Sequence, residues 1–251
     1  MAYRYDSDLE FLSEIKSEDL EDLVYCLTYD RDGSVRLTEE LTMNELYKQH
    51  HPDHQKYWEL IAAEIQCFGA NTFATMLRGG KGVEYKEVLI DVCDQLKVNF
   101  NKDSSVEKIE SNLLMKILTD AIENMSPEEL KELAEATGMK HTSGITPETM
   151  VGVFQAVFRA GGFKSYQLTL IIVNAVLKAL IGRGLSLAGN ATLTRTMSIL
   201  TGPIGWVITG LWTAIDIAGA AYRVTIPAVI QVAALRQKYL YEKQAGDVTF
   251  T

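Results

Sequence analysis

The chain of 251 residues has only five prolines, three cysteines and almost no alternating apolar–polar run that would mark a strand. Scarce strand signals exclude a sheet as the main architecture, and the low proline count leaves long helical segments unbroken. Cys26, Cys67 and Cys93 are odd in number, widely spaced and set in apolar helical patterns. That excludes a disulfide framework or a zinc knuckle and points to a reducing cytoplasm. The opening "MAYRYDSDLE" lacks the basic start and following apolar run of a secretory leader, so the expectation is a cytoplasmic N-terminal half. No low-complexity tract argues for disorder. Missing as well are a nucleophile elbow, an HExxH helix, a kinase set and a paired-glycine dinucleotide fingerprint, and the expectation is a protein that is not an enzyme and uses no cofactor.

The last scarcity is local. Between Glu148 and Asp216 there is no acidic residue, while Arg159, Lys164, Lys178, Arg183 and Arg195 lie in that interval. Residues 1–150 hold 15 Lys+Arg against 30 Asp+Glu, a net of −15, whereas residues 151–251 hold 9 against 3, a net of +6. Such a split suggests an anionic partner for the second half, or docking of the basic half on the acidic one. Its cations are scattered through apolar segments and do not form a patch with interleaved aromatics, which argues against nucleic acid.

What is present is helix. "SDLE" at Ser7–Glu10, "TMNE" at Thr42–Glu45, "SSVE" at Ser104–Glu107 and "SPEE" at Ser126–Glu129 read as helix starts. Leu20, Leu23, Val24 and Leu27 recur at helical spacing before the turn "DRDG". Trp58, Ile61, Ala62, Ile65 and Phe68 do so as well, and so do Val88, Leu89, Val92, Cys93 and Leu96, then Ile109, Leu113, Ile117, Ala121 and Ile122. The fold class expected is all-α: a multi-helix bundle with an apolar, glycine-punctuated C-terminal helical hairpin. "GMKHTSGITPE" (Gly138–Glu148) coincides with the charge reversal and divides an acidic bundle, 1–140, from a basic, apolar unit, 146–251.

In that second unit "YQLTLIIVNAVLKALIG" (Tyr166–Gly182) is apolar around nearly its whole circumference, which demands burial in protein or in lipid. "TGPIGWVITGLWTAIDIAG" (Thr201–Gly219) holds one charge, Asp216. Some 15 helical residues there reach roughly 23 Å, short of the roughly 30 Å hydrocarbon core, whereas the wider apolar window Ser198–Ala220 is long enough to span it if helix continues through Pro203. The residues expected to contact a membrane are Ile204, Trp206, Ile208, Leu211, Trp212, Ile215, Tyr222 and Arg223, the aromatics and cation at headgroup level. Gly205, Gly210, Ala214 and Ala218 form small faces for close helix packing, in a bilayer or in a soluble core hairpin. The final segment "YRVTIPAVIQVAALRQKYLYEK" reads as a helix with Pro227 in its first turn and a basic exit at Arg236, Lys238 and Lys243.

Two motifs invite chemistry. "HHPDH" gathers His50, His51, Asp53 and His54, but the spacing matches no ligand set, and a solvated interhelical loop without metal is expected. "RGGKG" (Arg78–Gly82) and "GGFKS" (Gly161–Ser165) lack the Walker spacing of a phosphate loop.

"DSDLEFL" (Asp6–Leu12), "YWELIAAEIQCFGANTFATMLRGGKGVEYKEVLIDV" (Tyr57–Val92) and "YRVTIPAVIQVAALR" (Tyr222–Arg236) resemble the bacterial YaaW family over most of the chain. Through the middle stretch there is a more distant likeness to the ubiquinol–cytochrome c chaperone domain, a helical module that assists assembly of a membrane-embedded respiratory subunit. The resemblance lends no catalytic residues. It implies protein binding near a membrane. The resulting expectation is a non-enzymatic, cytoplasmic helical protein that associates with an anionic membrane surface or bilayer through its C-terminal apolar helices, peripherally or by conditional insertion at the inner membrane. It would bind an unknown protein partner through its N-terminal unit, with homo-oligomerisation open. The alternative is a soluble chaperone-like assembly factor for a membrane protein.

Overall fold

Capping residues and glycines cut the chain into successive helices in the computed structural model, which describes residues 2–36, 39–68, 82–136, 139, 144–185, 199–210 and 221–248, side chains of 245–248 excepted. After a 3-10 turn at Glu10–Glu14 come α1 (Ser17–Thr28), α2 (Glu45–His50), a second 3-10 turn (His54–Tyr57), α3 (Trp58–Phe68), α4 (Tyr85–Gln95), α5 (Val106–Glu123), α6 (Pro127–Ala136), α7 (Pro147–Ala160) and α8 (Gly162–Leu180). A helical segment 199–210 and the long α9 (Tyr222–Val248) follow. The fold is all-α, with one isolated bridge, Tyr29 to Val35, and no strand among the described residues.

Local signals explain several starts. At α6 the Ser126 and Glu129 side chains each accept from the other's backbone N–H, at 3.2 and 2.8 Å, a complete capping box. Thr146 caps α7 by accepting from the Thr149 N–H, with Pro147 at the first helical position. Other starts shift. Thr42 turns back to Glu39, which accepts its N–H at 2.8 Å, and Asn44 caps α2 instead. "SDLE" opens only the 3-10 turn, because Asp6 accepts the N–H groups of Asp8 and of distant Tyr85. Pro227 sits inside α9, which begins five residues earlier at Tyr222.

α9 is the axis. Every position from Val224 to Arg236 is buried, so this stretch is covered on all sides by other helices. It packs along α8 and also touches α1, α3, α4 and α5. α8 in turn buries every residue from Ile171 to Leu177. Its apolar circumference is therefore covered by protein, namely α9, α7 and α5. Among the described residues no helix is long and apolar enough to cross a membrane.

Charge follows the same geometry. Arg236 of α9 pairs with Glu110 of α5 at 2.9 Å, Lys238 pairs with Asp19 of α1, and Arg183, just beyond α8, pairs with Asp22 of α1 at 2.8 Å. Docking of basic helices on acidic ones thus engages three of the cations that the sequence left open to an outside anion.

Candidate functional site

Along 199–210, Leu200, Ile204 and Ile208 recur every four residues and are 0, 0 and 2% exposed. This stripe enters the core, so Ile204 and Ile208, expected at a lipid face, face inward. The reason is periodicity: a helix lying on a core must bury one stripe, and the branched aliphatics form it. The opposite face carries Gly202, Gly205, Trp206 and Thr209. Trp206 is 81% exposed. Gly205 and Gly210, expected at close helix contacts, have nothing among the described residues within 4 Å of where a Cβ would stand. Tyr222 is half-buried and Arg223 exposed. Leu211, Trp212, Ile215, Ala214 and Ala218 lie outside the described residues.

This outer face borders an open groove of about 440 Å³. One wall is the end of α8, with Ala175, Lys178 and Ala179; the other is Thr201, Gly202, Gly205, Trp206 and Thr209. Arg31 closes it from the turn after α1. That turn is held by the Arg36 N–H donating to the Thr28 carbonyl at 2.9 Å and by Gly33 at φ +82°. It reaches α8 because Arg183 clamps onto α1, bonding Asp22 and lying 4.0 Å from the centre of the Tyr25 ring. The Arg31 carbonyl also faces Gly182, itself at φ +83°. Arg31 and Lys178 are exposed, and neither pairs with a carboxylate among the described residues. Thr209 donates its hydroxyl to the Gly205 carbonyl at 2.7 Å. The groove therefore offers two unpaired cations, an exposed indole and a floor of small residues, and no nucleophile or acid–base pair.

The other polar clusters are closed. Glu110 accepts from the Tyr85 hydroxyl at 2.7 Å and from Arg236 Nε at 2.9 Å, and Arg236 donates onward to the Asp8 carbonyl at 2.6 Å while lying 4.4 Å from the centre of the Phe11 ring. Burial pushes the Glu110 carboxyl and the Tyr85 hydroxyl upward, the neighbouring Arg236 opposing both. At 1 and 0% exposure neither meets a substrate. Arg236, read from sequence as part of a basic helix exit, is instead the central cation of this network.

The histidine cluster also departs from expectation. His54 is 1% exposed, with Nε2 against Glu21 at 2.7 Å and Nδ1 against the Tyr57 hydroxyl, so both ring nitrogens have partners. It is a core histidine, while His51 stays outside. Among the described residues no group of three or more His, Cys, Asp or Glu side chains is arranged to hold a metal ion.

The described residues thus define a class by fold, an all-α multi-helix protein, with a basic groove that carries an exposed tryptophan. The model of the ubiquinol-cytochrome C chaperone family matches residues 53–230, and a domain of unknown function (DUF3944) matches residues 3–37. A UPF0174 protein of Helicobacter pylori is 54% identical over 238 residues, 95% of this chain and 94% of the relative. The UPF0174 protein YaaW of Escherichia coli is 35% identical over 241 residues, 94% and 95% of the two chains. The chain belongs to the UPF0174 (YaaW) family, within the reach of the ubiquinol-cytochrome C chaperone model. No solved structure matches it.

Proposed function

We propose that this protein is a non-enzymatic, chaperone-like helical protein that engages a protein partner while docked peripherally on an anionic membrane face, the cytoplasmic side of the inner membrane. The chaperone family supports the protein-binding half of this reading. One observation carries the membrane half: Trp206, 81% exposed, stands beside the unpaired cations Arg31 and Lys178. An indole flanked by cations suits the headgroup region, where its apolar body and N–H are both accommodated. The mode differs from insertion of an apolar helix, since the apolar faces of α8 and 199–210 are already spent on the core. On the acidic half, Met43 and Leu46 are 72 and 47% exposed beside the Glu45–Lys48 ion pair, an apolar edge with a charged rim of the kind that seats protein.

Fractionation of cells expressing the native chain tests this. The expected result is membrane-bound protein that alkaline carbonate releases. A photo-crosslinker at Leu46 should capture a discrete protein in the same cells. Protein that stays wholly in the soluble fraction at low salt refutes the membrane half, and protein that resists carbonate refutes the peripheral mode.

A further inference from the structure

Resting on that peripheral reading, we infer that the groove between α8 and 199–210 is a headgroup site that takes the phosphate of an anionic phospholipid. Arg31, which borders the end of α8 at Gly182, presents a planar fork that matches two phosphate oxygens, and Lys178 on the α8 wall supplies a point charge. Both cations lack carboxylate partners among the described residues, so a phosphate entering the groove displaces no internal ion pair. At Gly202 and Gly205 an added Cβ would meet nothing within 4 Å among the described residues, so this wall leaves the groove open. Trp206 then lies at the level of the ester linkages, anchoring the lipid's glycerol end.

Charge and size suit a small anionic group: the groove, about 440 Å³, lies within the range of small-ligand sites and carries Arg31 and Lys178. Charge decides the orientation. A chain of net −9 is repelled as a whole from an anionic bilayer, so attachment must be led by the face that carries Arg31 and Lys178.

The test is flotation of the full chain with vesicles of phosphatidylcholine alone and of equal parts phosphatidylcholine and phosphatidylglycerol, at low and high salt. Wild type should float with the anionic vesicles only, and salt should release it. Lys178→Glu removes a cation and adds a repelling charge, and should weaken binding at least roughly tenfold. Gly205→Leu fills the groove without altering charge and should do the same. Both sites are exposed or open, so melting curves should match wild type and show that loss of binding is not loss of fold. If wild type floats and both variants float equally well, the groove assignment falls while the peripheral reading stands. If wild type floats with neither vesicle, both fall. Soluble glycerol phosphate should compete only weakly, and Trp206→Ala should weaken flotation. Tight binding of glycerol phosphate that is indifferent to Trp206→Ala would assign a free phosphate ligand and overturn the lipid. A photo-crosslinker at position 206 that captures protein and no lipid overturns it too.

Discussion

Replacing Arg236 by Met isolates the buried charge on which the core is closed. Glu110 is 1% exposed and Arg236 5% exposed, and the pair is joined at 2.9 Å across α5 and α9. Methionine keeps much of the arginine stem's volume against Phe11 but leaves the Glu110 carboxylate with the Tyr85 hydroxyl alone. Breaking a buried pair from one side costs about 3–5 kcal/mol, because the remaining charge has lost its compensation. For a chain of this length that is roughly 6–20 °C in melting temperature. The loss must depend on pH. The folded Glu110 carboxyl already sits above its ordinary value through burial, and removing Arg236 removes the principal influence holding it down. A carboxyl whose folded pKa is raised contributes stability that is fully present below its unfolded pKa and is lost as pH rises through the folded one. The gap between Arg236→Met and wild type should therefore narrow near pH 5 and widen near pH 8 as test conditions. Adding Glu110→Gln to Arg236→Met should recover part of the loss at the higher pH. Thermal melts followed by circular dichroism across that range measure all of this. A single variant within about 1 kcal/mol of wild type, or a double variant no better than the single one, refutes the assignment of a buried, mutually dependent pair.

Glu64 of α3 is 2% exposed, with one carboxylate oxygen unpartnered and its pKa pushed up to about 8 by burial. Stability should thus fall as pH rises through about 8, and Glu64→Gln should flatten that decline; parallel curves for the two proteins would contradict it. At Gly82 an added Cβ would overlap the Gln66 carbonyl and the Cys67 nitrogen, where the Val83 N–H meets the Gln66 carbonyl at 3.1 Å. Gly82→Ala should cost about 2–3 kcal/mol in urea unfolding, and a neutral result would deny the close approach of these two backbones. A division at 140/146 requires residues 1–140 to be helical alone. That fragment should melt below the full chain because Glu110 loses Arg236 and Asp19 loses Lys238, and Glu110→Gln should raise its melting temperature. A fragment that stays unfolded even with that substitution ends the modular division.

The helices themselves were legible because their causes are local. The capping box at Ser126 and Glu129, the Thr146–Pro147 start and the apolar spacings of α3, α4 and α5 each lie within a few turns of chain, and the structure keeps them. Of the groove, Trp206 and Lys178 were visible as an aromatic and a cation in a stretch free of acidic residues. Arg31 was not, since it arrives from the turn after α1 only because Arg183 docks on Asp22 and Tyr25. Tertiary structure alone decided what covers the apolar segments. Hydrophobicity states that α8 and 199–210 must leave water, but it carries no information on whether protein or lipid receives them, and α9 settles α8 by lying along it. The same holds for polar groups whose partners are distant in sequence. Asp6 could stop at the N–H of Asp8 or reach the distant N–H of Tyr85 as well, as it does, and Arg236 could face solvent or Glu110. Each choice was fixed by burial, where an unpaired polar group costs more than a surface contact returns.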